Sequence, residues 1–115
     1  MNTIQQLPRK GKWLRIFIGE AQQGQDKPLY RAIVELAQQQ GIAGATVFRG
    51  IEGFGPEHRL STDRLPDIAD NLPVIVDIVE SEERIEALLP LLDRLVHRGM
   101  ITVTPVEIVY GWRSP

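Results

Sequence analysis

One stretch of the sequence combines glycine and arginine in a way that suits the binding of an anion. The stretch GATVFRGIEGFG, residues 44–55, holds four glycines and Arg49. Glycine can adopt positive φ and expose backbone N–H groups, and arginine can donate two parallel hydrogen bonds to phosphate or carboxylate. We expect Gly50, Gly53 and Gly55 to shape a loop base and Arg49 to attract an anion. The glycines alone equally suit a bulge and a sharp exit from a strand, because their spacing is not that of a phosphate-binding loop.

Hydrophobic periodicity predicts the elements that must position these residues. Alternating apolar residues predict strands at 12–19, 44–51, 72–80 and 100–110. Repeats at helical spacing predict a first helix, which starts near Asp26 and Pro28 and stops at Gly41, and a second helix, which Ser81 caps and residues 97–99 end. The order strand, helix, strand, strand, helix, strand predicts an α+β, ferredoxin-like domain, with an antiparallel sheet and both helices on one face.

We place this single domain at residues 12–111, with a long loop at 52–71. Residues 1–11 are expected to be irregular or disordered, and residues 112–115 to form a tail. Trp112 and Arg113 in that tail could fold over a neighbouring subunit, stack on a ligand or fray.

Composition narrows the class of protein. The chain has 115 residues, a formal net charge of -2, 24% charged residues and no cysteine. These values are typical of one globular domain, and they exclude disulfide bonds, thiolate catalysis and cysteine zinc sites. The opening residues lack the apolar core of a secretion signal, and no apolar run approaches the length of a membrane span. We expect a cytoplasmic protein that does not insert into a membrane.

The topology gathers the polar side chains at one edge of the sheet. Antiparallel strands bring together the loop at 19–27, the connection at 52–71 and the junction at 97–99, whereas only short turns, near Gly41 and Ser81, lie at the opposite edge. The gathered charged and imidazole side chains are Glu20, Lys27, Arg49, His58, Arg59, Arg64, His97 and Arg98. A functional site is therefore expected at this edge.

Two helices can cover only one face of the sheet, yet both faces carry apolar residues. The residues expected on the uncovered face are Phe17, Phe48, Ile75, Val79 and Val106. An exposed apolar face of this kind is typical of an interface, so we expect a homo-oligomer packed through its sheets. Arg15 and Asp77, on adjacent strands, would form an ion pair within it.

Three segments of the sequence resemble a known family. They are RIFIGEAQQGQDKPLYRAIVELAQQQGIAGATVFRGIEGFG, LPVIVDIVESEERIEALLPLL and GMITVTPVEIVYG. They are similar to the PII-like family of uncharacterised prokaryotic proteins, "domain of unknown function 190", which is related to nitrogen-regulatory PII signalling proteins. The resemblance implies a trimer with its sheets inward, and it implies that the loop at 52–71 corresponds to the T-loop that senses an effector in PII proteins.

The resemblance also implies a ligand and a partner. PII proteins bind adenine nucleotides in clefts between subunits and engage a protein target, such as a membrane transporter or an enzyme. They hold phosphates with a basic, glycine-rich loop where this sequence has only His97, Arg98 and Gly99. Lys27, Arg49 and the glycines would therefore contribute more of the contacts. The tyrosine that is modified in some PII T-loops has no counterpart between residues 52 and 71.

Other functions fit parts of the same pattern. Glu20, His58 or Asp63 could act as acid or base in an enzyme. His58 and His97 could hold a metal together with Glu20 or Glu52. RNA-recognition domains share the element order, but the third strand lacks their aromatic pattern and the sequence pI of about 5.7 does not favour nucleic acid. An oligomeric interaction module without a ligand is the main alternative.

The function that we favour is that of a PII-like regulator, which senses a small anion and signals to a protein partner. We expect this chain to have no catalytic or metal-binding residues. The residues expected to bind the anion, for which an adenine nucleotide is a candidate, are Glu20, Lys27, Arg49, Gly50, Glu52, Gly53, Gly55 and Arg98. The residues expected to report binding or contact a partner are Phe54, His58, Arg59 and Arg64.

Overall fold

A four-stranded antiparallel sheet carries the fold. The computed structural model describes residues 5–114, so the predictions for residues 1–4 and 115 lie outside the described residues. The elements in chain order are β1 (Lys10–Gly19), α1 (Leu29–Gln39), β2 (Thr46–Arg49), β3 (Pro73–Ser81), α2 (Glu82–Leu95) and β4 (Met100–Glu107). The strands lie in the order β2-β3-β1-β4. This arrangement confirms the predicted ferredoxin-like α+β fold.

The register of β1 against β3 separates the two faces of the sheet. Leu14 pairs with Ile78 and Ile16 with Val76, and all four side chains are buried under the helices. The intervening pair, Arg15 with Asp77, points to the other face, because successive side chains of a strand alternate. Apolar positions of both helices complete the core, including Ile33 of α1 and Leu92 of α2.

The uncovered face is as apolar as the alternation predicts. Phe48 is 51% exposed, Val79 40% and Phe17 36%, and Ile75 and Val106 lie on the same face by strand register. Arg15 donates two hydrogen bonds to Asp77 in the middle of this face, at 2.8 and 2.7 Å. The predicted ion pair is therefore confirmed. The guanidinium carbon of Arg15 also lies 4.6 Å from the centre of the Trp13 ring.

The ends of the helices follow local chemistry. The Ser81 hydroxyl accepts a hydrogen bond from the Arg84 N–H at 3.3 Å, as its predicted role as a cap requires. Helix α1 begins later than the signal at Asp26 suggests. Asp26 has φ of 62° and lies in a turn between two short pairing segments, Gln23–Gly24 and Lys27–Pro28, so the helix starts only at Leu29.

The two ends of the chain are more ordered than expected. Gln5–Gln6 pair with Trp112–Arg113 in a two-stranded antiparallel ladder, whereas residues 1–11 were expected to be irregular or disordered and residues 112–115 to form a tail. The sheet also begins at Lys10 rather than at residue 12. These segments were missed because they pair with each other across the length of the chain and lack a strong apolar alternation.

A buried carboxylate holds this ladder against the domain. Glu80 is 0% exposed, and it accepts hydrogen bonds from the Ala43 N–H at 3.0 Å and the Ser81 N–H at 2.6 Å. Arg113 Nε lies 3.5 Å from Glu80 Oε1, which is an ion-pair contact without hydrogen-bond alignment. The edge that was expected to hold only short turns therefore also carries an anchored pair of chain ends.

Replacement of Glu80 by alanine should destabilise the domain by about 3 kcal/mol, because it leaves the N–H groups of Ala43 and Ser81 without their acceptor and removes the carboxylate beside the largely buried Arg113 side chain. Urea unfolding followed by circular dichroism measures the loss. Glu80→Gln keeps one acceptor oxygen and should lose less. Equal stability of the wild type and Glu80→Ala would contradict this role.

Asp77 should make stability depend on pH. The hydrogen bonds from Arg15 hold the pKa of Asp77 below its ordinary value, against the opposing effect of burial. A carboxyl whose pKa is lower in the folded chain stabilises it above the unfolded value of about 3.9, and the gain is lost as the pH falls through the folded value. Asp77→Asn should therefore lower the melting temperature at pH 7, and the difference should shrink at pH 3.

Thermal melts of both proteins at pH 7, 5 and 3 test this dependence. Asp93→Asn, at an exposed position of α2, is the matched control and should give no such trend. A constant difference between Asp77→Asn and the wild type at all three pH values would argue against the ion pair as its source.

Candidate functional site

Three segments meet at the predicted edge of the sheet. The Gln22 side-chain amide donates to the Arg98 carbonyl at 2.9 Å, which joins the loop after β1 to the α2–β4 junction. The Ala21 N–H donates to the Asn71 side-chain oxygen at 2.9 Å, and the Glu20 N–H donates to the Leu72 carbonyl at 2.8 Å. These bonds join the same loop to the end of the β2–β3 connection, so the three segments do meet at this edge.

The connection between β2 and β3 contains regular secondary structure. Glu52–Gly53 pair with Ser61–Thr62, which makes residues 52–62 a small hairpin, called the hairpin loop below. Ser61 and Thr62 are 2% and 3% exposed, so the second arm of the hairpin packs on the domain. A 3-10 turn at Pro66–Ile68 leads the chain back towards β3.

Gly50 and Gly53 allow a close approach to Pro73. A Cβ on Gly50 would lie 3.0 Å from Pro73 Cγ, and one on Gly53 would lie 2.9 Å from the same atom. Within residues 5–114, glycines with positive φ occur only in the turn after α1 and in the α2–β4 junction. Gly50, Gly53 and Gly55 therefore do not use the positive φ that glycine allows, and contact with Pro73 accounts for the first two. The Gly50 N–H donates to the Pro73 carbonyl at 2.7 Å.

Glycine is required by conformation at the α2–β4 junction instead. Gly99 has φ of 147°, and a Cβ there would lie 2.5 Å from the Phe17 carbonyl oxygen. The junction can thus lie directly against β1, which positions Arg98 beside the other two segments.

Three of the expected cations are paired with carboxylates at this edge. Arg49 Nη1 lies 3.0 Å from Glu20 Oε2, and Arg98 Nη1 lies 3.3 Å from Glu57 Oε1. The third pair joins Arg59 to Asp70 at 3.1 Å. All three pairs reach solvent, and exposed pairs contribute little stability. An incoming anion could therefore replace a carboxylate at modest cost.

Lys27 is separated from this group by its partner. Its Nζ lies 2.5 Å from Glu35 Oε2 on α1, and it lines a shallow cleft with Arg94 and Leu95 of α2. The structure therefore places Lys27 on the helix layer rather than beside Arg49. Sequence order could not reveal this, because the turn at residues 25–26 directs the side chain towards α1.

The hairpin loop carries exposed apolar side chains. Phe54 is 65% exposed and Leu60 48%, and Ile51 and Leu65 beside the loop are 69% and 57% exposed. The His58 ring stacks on Phe54 with 5.5 Å between ring centroids, and the His58 N–H donates to the Gly55 carbonyl at 2.9 Å. His58 itself has φ of 60°, so the tight turn depends on a non-glycine residue.

The remaining expected residues lie in exposed positions. Glu52 is exposed in the first arm of the hairpin loop, and Arg64 is exposed just after the second arm, where its N–H donates to the Thr62 hydroxyl at 3.3 Å. Among residues 5–114, no group of three or more histidine, aspartate or glutamate side chains is arranged to hold a metal ion. Neither helix is long and apolar enough to cross a membrane, over the part of the chain that the structure describes.

Sequence reasoning missed the residues that hold the edge together. Gln22 accepts a hydrogen bond from the Gly19 N–H at 2.6 Å while donating to Arg98, and Glu57 and Asp70 neutralise two of the arginines. The sequence shows that Glu57 and Asp70 are carboxylates able to pair with arginine, but only the geometry of the loops determines which arginine each of them contacts. For Gln22, the one available signal was a polar side chain three residues after a glycine at the end of a strand.

Two curated relatives match nearly the whole chain. A UPF0166 protein from Aquifex aeolicus is 39% identical over 101 residues, which cover 88% of this chain and 95% of the relative. A UPF0166 protein from Methanocaldococcus jannaschii is 33% identical over 103 residues, which cover 89% and 94%.

Solved structures share the fold at low sequence identity. CPII from Thiomonas intermedia K12 bound to ADP and bicarbonate has a TM-score of 0.58 and 19% identity, over 86% of this chain and 88% of the other. The same protein, described as a nitrogen regulatory PII-like protein, bound to ADP, AMP and bicarbonate has a TM-score of 0.59 and 17% identity over the same shares. The fold is therefore PII-like. The family model DUF190, described as "Uncharacterized ACR, COG1993", matches residues 11–108, and the chain belongs to this family, as its resemblance implied.

Proposed function

We propose that this chain is a cytoplasmic PII-like regulator that assembles as a trimer, binds a small anion, and signals to a protein partner through the hairpin loop. The anion that we favour is an adenine nucleotide. The observation that carries the proposal is the convergence of three segments, each contributing to exposed ion pairs, at one edge of a PII-like fold.

The charges at this edge suit an anion of more than one charge. Arg49 and Arg98 are each neutralised by a single carboxylate, so a phosphate group that reaches both guanidinium groups would offer each a stronger charged hydrogen bond. Glu20 would then be displaced rather than bind the ligand, since it occupies the position that an anion would take on Arg49. The fold shared with proteins that were solved with ADP bound supports the choice of nucleotide.

The ion pair between Arg98 and Glu57 suggests how binding would reach the hairpin loop. Glu57 lies at the tip of the loop, whereas Arg98 lies in the α2–β4 junction. A ligand that recruits Arg98 would release Glu57 and free the tip to adopt another shape. The exposed side chains of Phe54 and Leu60 would give that tip an apolar surface for a partner.

The uncovered face of the sheet supports the proposed assembly. Its exposed aromatic and aliphatic side chains surround an ion pair that is already neutral, so the face can be buried against itself without stranding a charge. Packing three such faces together would form clefts between subunits close to the edge that carries Arg49.

Arg49→Ala should weaken nucleotide binding by about 10- to 150-fold, because it removes a charged hydrogen bond worth about 1.5–3 kcal/mol. Isothermal titration of ADP, ATP and bicarbonate into wild type and variant measures the change. Arg31→Ala, which removes the same charge from an exposed position of α1, is the matched control and should bind as the wild type does.

The outcomes of these titrations separate the parts of the proposal. Wild-type protein that binds none of the three ligands in titration or thermal-shift assays would overturn the proposed effector. Binding that is unchanged in Arg49→Ala would remove Arg49 from the site and leave the effector in place.

Glu57→Gln should loosen the hairpin loop. The exposed ion pair is worth about 0.2–1 kcal/mol, so amide hydrogen exchange across residues 54–60 should accelerate by up to about fivefold. Glu52→Gln, in the same loop, is the matched control. Exchange that is equally slow in the wild type and Glu57→Gln would show that the pair does not restrain the tip.

A further inference from the structure

The two outer strands of the sheet, β2 and β4, present backbone groups that no neighbouring strand pairs. In an antiparallel ladder, every second residue of an outer strand turns its N–H and C=O away from its neighbour. The Gly50 N–H donates to the Pro73 carbonyl at 2.7 Å, which continues the β2–β3 register by one position, so the even-numbered residues of β2 bond β3. Val47 and Arg49 therefore turn their backbone groups outward.

The same alternation identifies the free backbone groups of β4. The Ile108 N–H donates to the Arg9 carbonyl at 2.6 Å, which continues the β1–β4 register by one position, so the even-numbered residues of β4 bond β1. Ile101 and Val103 therefore turn their N–H and C=O groups outward. Pro105, the next outward position, has no N–H, so a further strand would pair best opposite residues 101 and 103.

The free edge of β4 lacks the protection that natural proteins give to exposed edges. Charged side chains, proline and bulges usually keep such an edge from pairing with another chain. Residues 100–104, MITVT, contain neither a charge nor a proline, and Met100 is 61% and Val103 39% exposed. An apolar edge of this kind is a template for a further strand.

An open groove of about 660 Å³ lies between this edge and α2. Its lining residues are Glu86, Leu89, Pro90, Asp93, Ile101 and Val103. A strand added to β4 would place every second side chain in the groove, because directly opposite residues of an antiparallel pair share one face of the sheet. The groove therefore suits an extended segment that carries an apolar side chain and, two residues away, a basic one.

The free edge of β2 has this chemistry. Val47 and Arg49 both pair with helix-facing positions of β3, so their side chains lie on the same face of the sheet as those of Ile101 and Val103. Val47 is 36% exposed in the single chain. When Val47 lies opposite Val103, Arg49 lies opposite Ile101, and each of these pairs can exchange two backbone hydrogen bonds.

Charge favours β2 of a second copy over another β4 as the occupant. Glu86 and Asp93 make the groove beside β4 negative, whereas Arg49 brings a positive charge to β2. Two β4 edges paired with each other would bring two acidic grooves together and would leave β2 unpaired. Opposite charges on two surfaces select the partner and the register more than they add affinity.

Strand direction allows the contact to repeat. Three antiparallel pairings separate β2 from β4, so these two strands run in opposite directions. A second copy that adds its β2 beside β4 continues the antiparallel sheet and leaves its own β4 free for the next copy. Head-to-tail contacts of this kind close into a ring when the rotation between copies allows it.

We infer that β2 of one copy pairs with β4 of the next copy, with Val47 opposite Val103, so that a ring of copies shares one continuous antiparallel sheet. The inference rests on the proposed trimer and adds to it the strands and the register of the contact. Arg49 then lies at the boundary between two copies, which is where the proposed anion would bind.

Disulfide trapping tests the register. The chain has no cysteine, so Val47→Cys/Val103→Cys carries the only thiols. Hydrogen-bonded antiparallel pairs hold their Cα atoms about 5.5 Å apart, which is within the range of a disulfide. Air oxidation with copper phenanthroline as catalyst should convert this double variant into covalent dimers and trimers on a non-reducing gel. Each single variant should stay monomeric, and so should most of the control Phe48→Cys/Val103→Cys, because residue 48 points to the other face.

Exchange of charges tests the same contact without a covalent bond. Val47→Glu and Val103→Lys should each raise the concentration at half dissociation in sedimentation velocity by about tenfold or more, because each would bury a charge without a partner. Both side chains are more than a third exposed in the single chain, so the domain should stay folded, which circular dichroism checks. The double variant places the two charges opposite each other at every contact and should recover assembly.

The outcomes separate this contact from the rest of the proposed function. Covalent dimers from Val103→Cys alone would show that two β4 edges pair, and they would overturn the inference. An oligomer that neither cross-links at these positions nor responds to the charged variants would overturn it and leave a trimer built on another surface. A wild-type chain that sediments as a monomer at every concentration would overturn the contact and the proposed trimer together. Cross-linking of a chain that binds no ADP would support the contact and remove only the effector.

Discussion

The pairing of β1 with β3 is the constraint on which the rest of the structure depends. Nine residue pairs, from Gly11 with Ser81 to Gly19 with Pro73, fix which side chains enter the core and which face outward. A slip of one residue would expose Leu14 and Ile16 and bury Arg15. The bidentate bond between Arg15 and Asp77 matches only the correct register, so the ion pair acts as a specificity element on the uncovered face.

The same pairing creates two ends with different chemistry. At one end, loops hold exposed arginine–carboxylate pairs, whose partners can be exchanged at low cost. At the other end, the carboxylate of Glu80 is fully buried among backbone donors and contacts Arg113, so exchange there would be expensive. The ion pairs at the loop edge can therefore rearrange, whereas the contacts of Glu80 at the opposite edge are fixed. The difference arises because breaking a buried pair leaves a charge without solvent.

How much the sequence could predict depended on the range of the interaction. Leu14, Ile16 and Ile18 follow a period of two that needs no tertiary information, and the strand order then placed Arg15 next to Asp77. The reason for glycine at positions 50 and 53 could not be read from the sequence, because contact with Pro73 appears only once the hairpin loop folds back. Lys27 was grouped with Arg49 by position along the chain, but a turn with two residues of positive φ directs it to Glu35. The pairing of Gln5–Gln6 with Trp112–Arg113 was missed, because these residues are more than a hundred positions apart in the sequence.

The central position of β1 has a consequence for how the chain acquires its structure. Of the four strands of the sheet, β1 is synthesised first, and in the finished sheet it is flanked by β3 and β4, the two synthesised last. Until residue 107 has been synthesised, β1 cannot pair along both sides, and its apolar residues have no complete layer to enter. Folding of this domain therefore requires contacts between distant parts of the chain. Such contacts form more slowly than the local contacts of helical proteins of equal size, and an unpaired strand is prone to aggregate in the meantime.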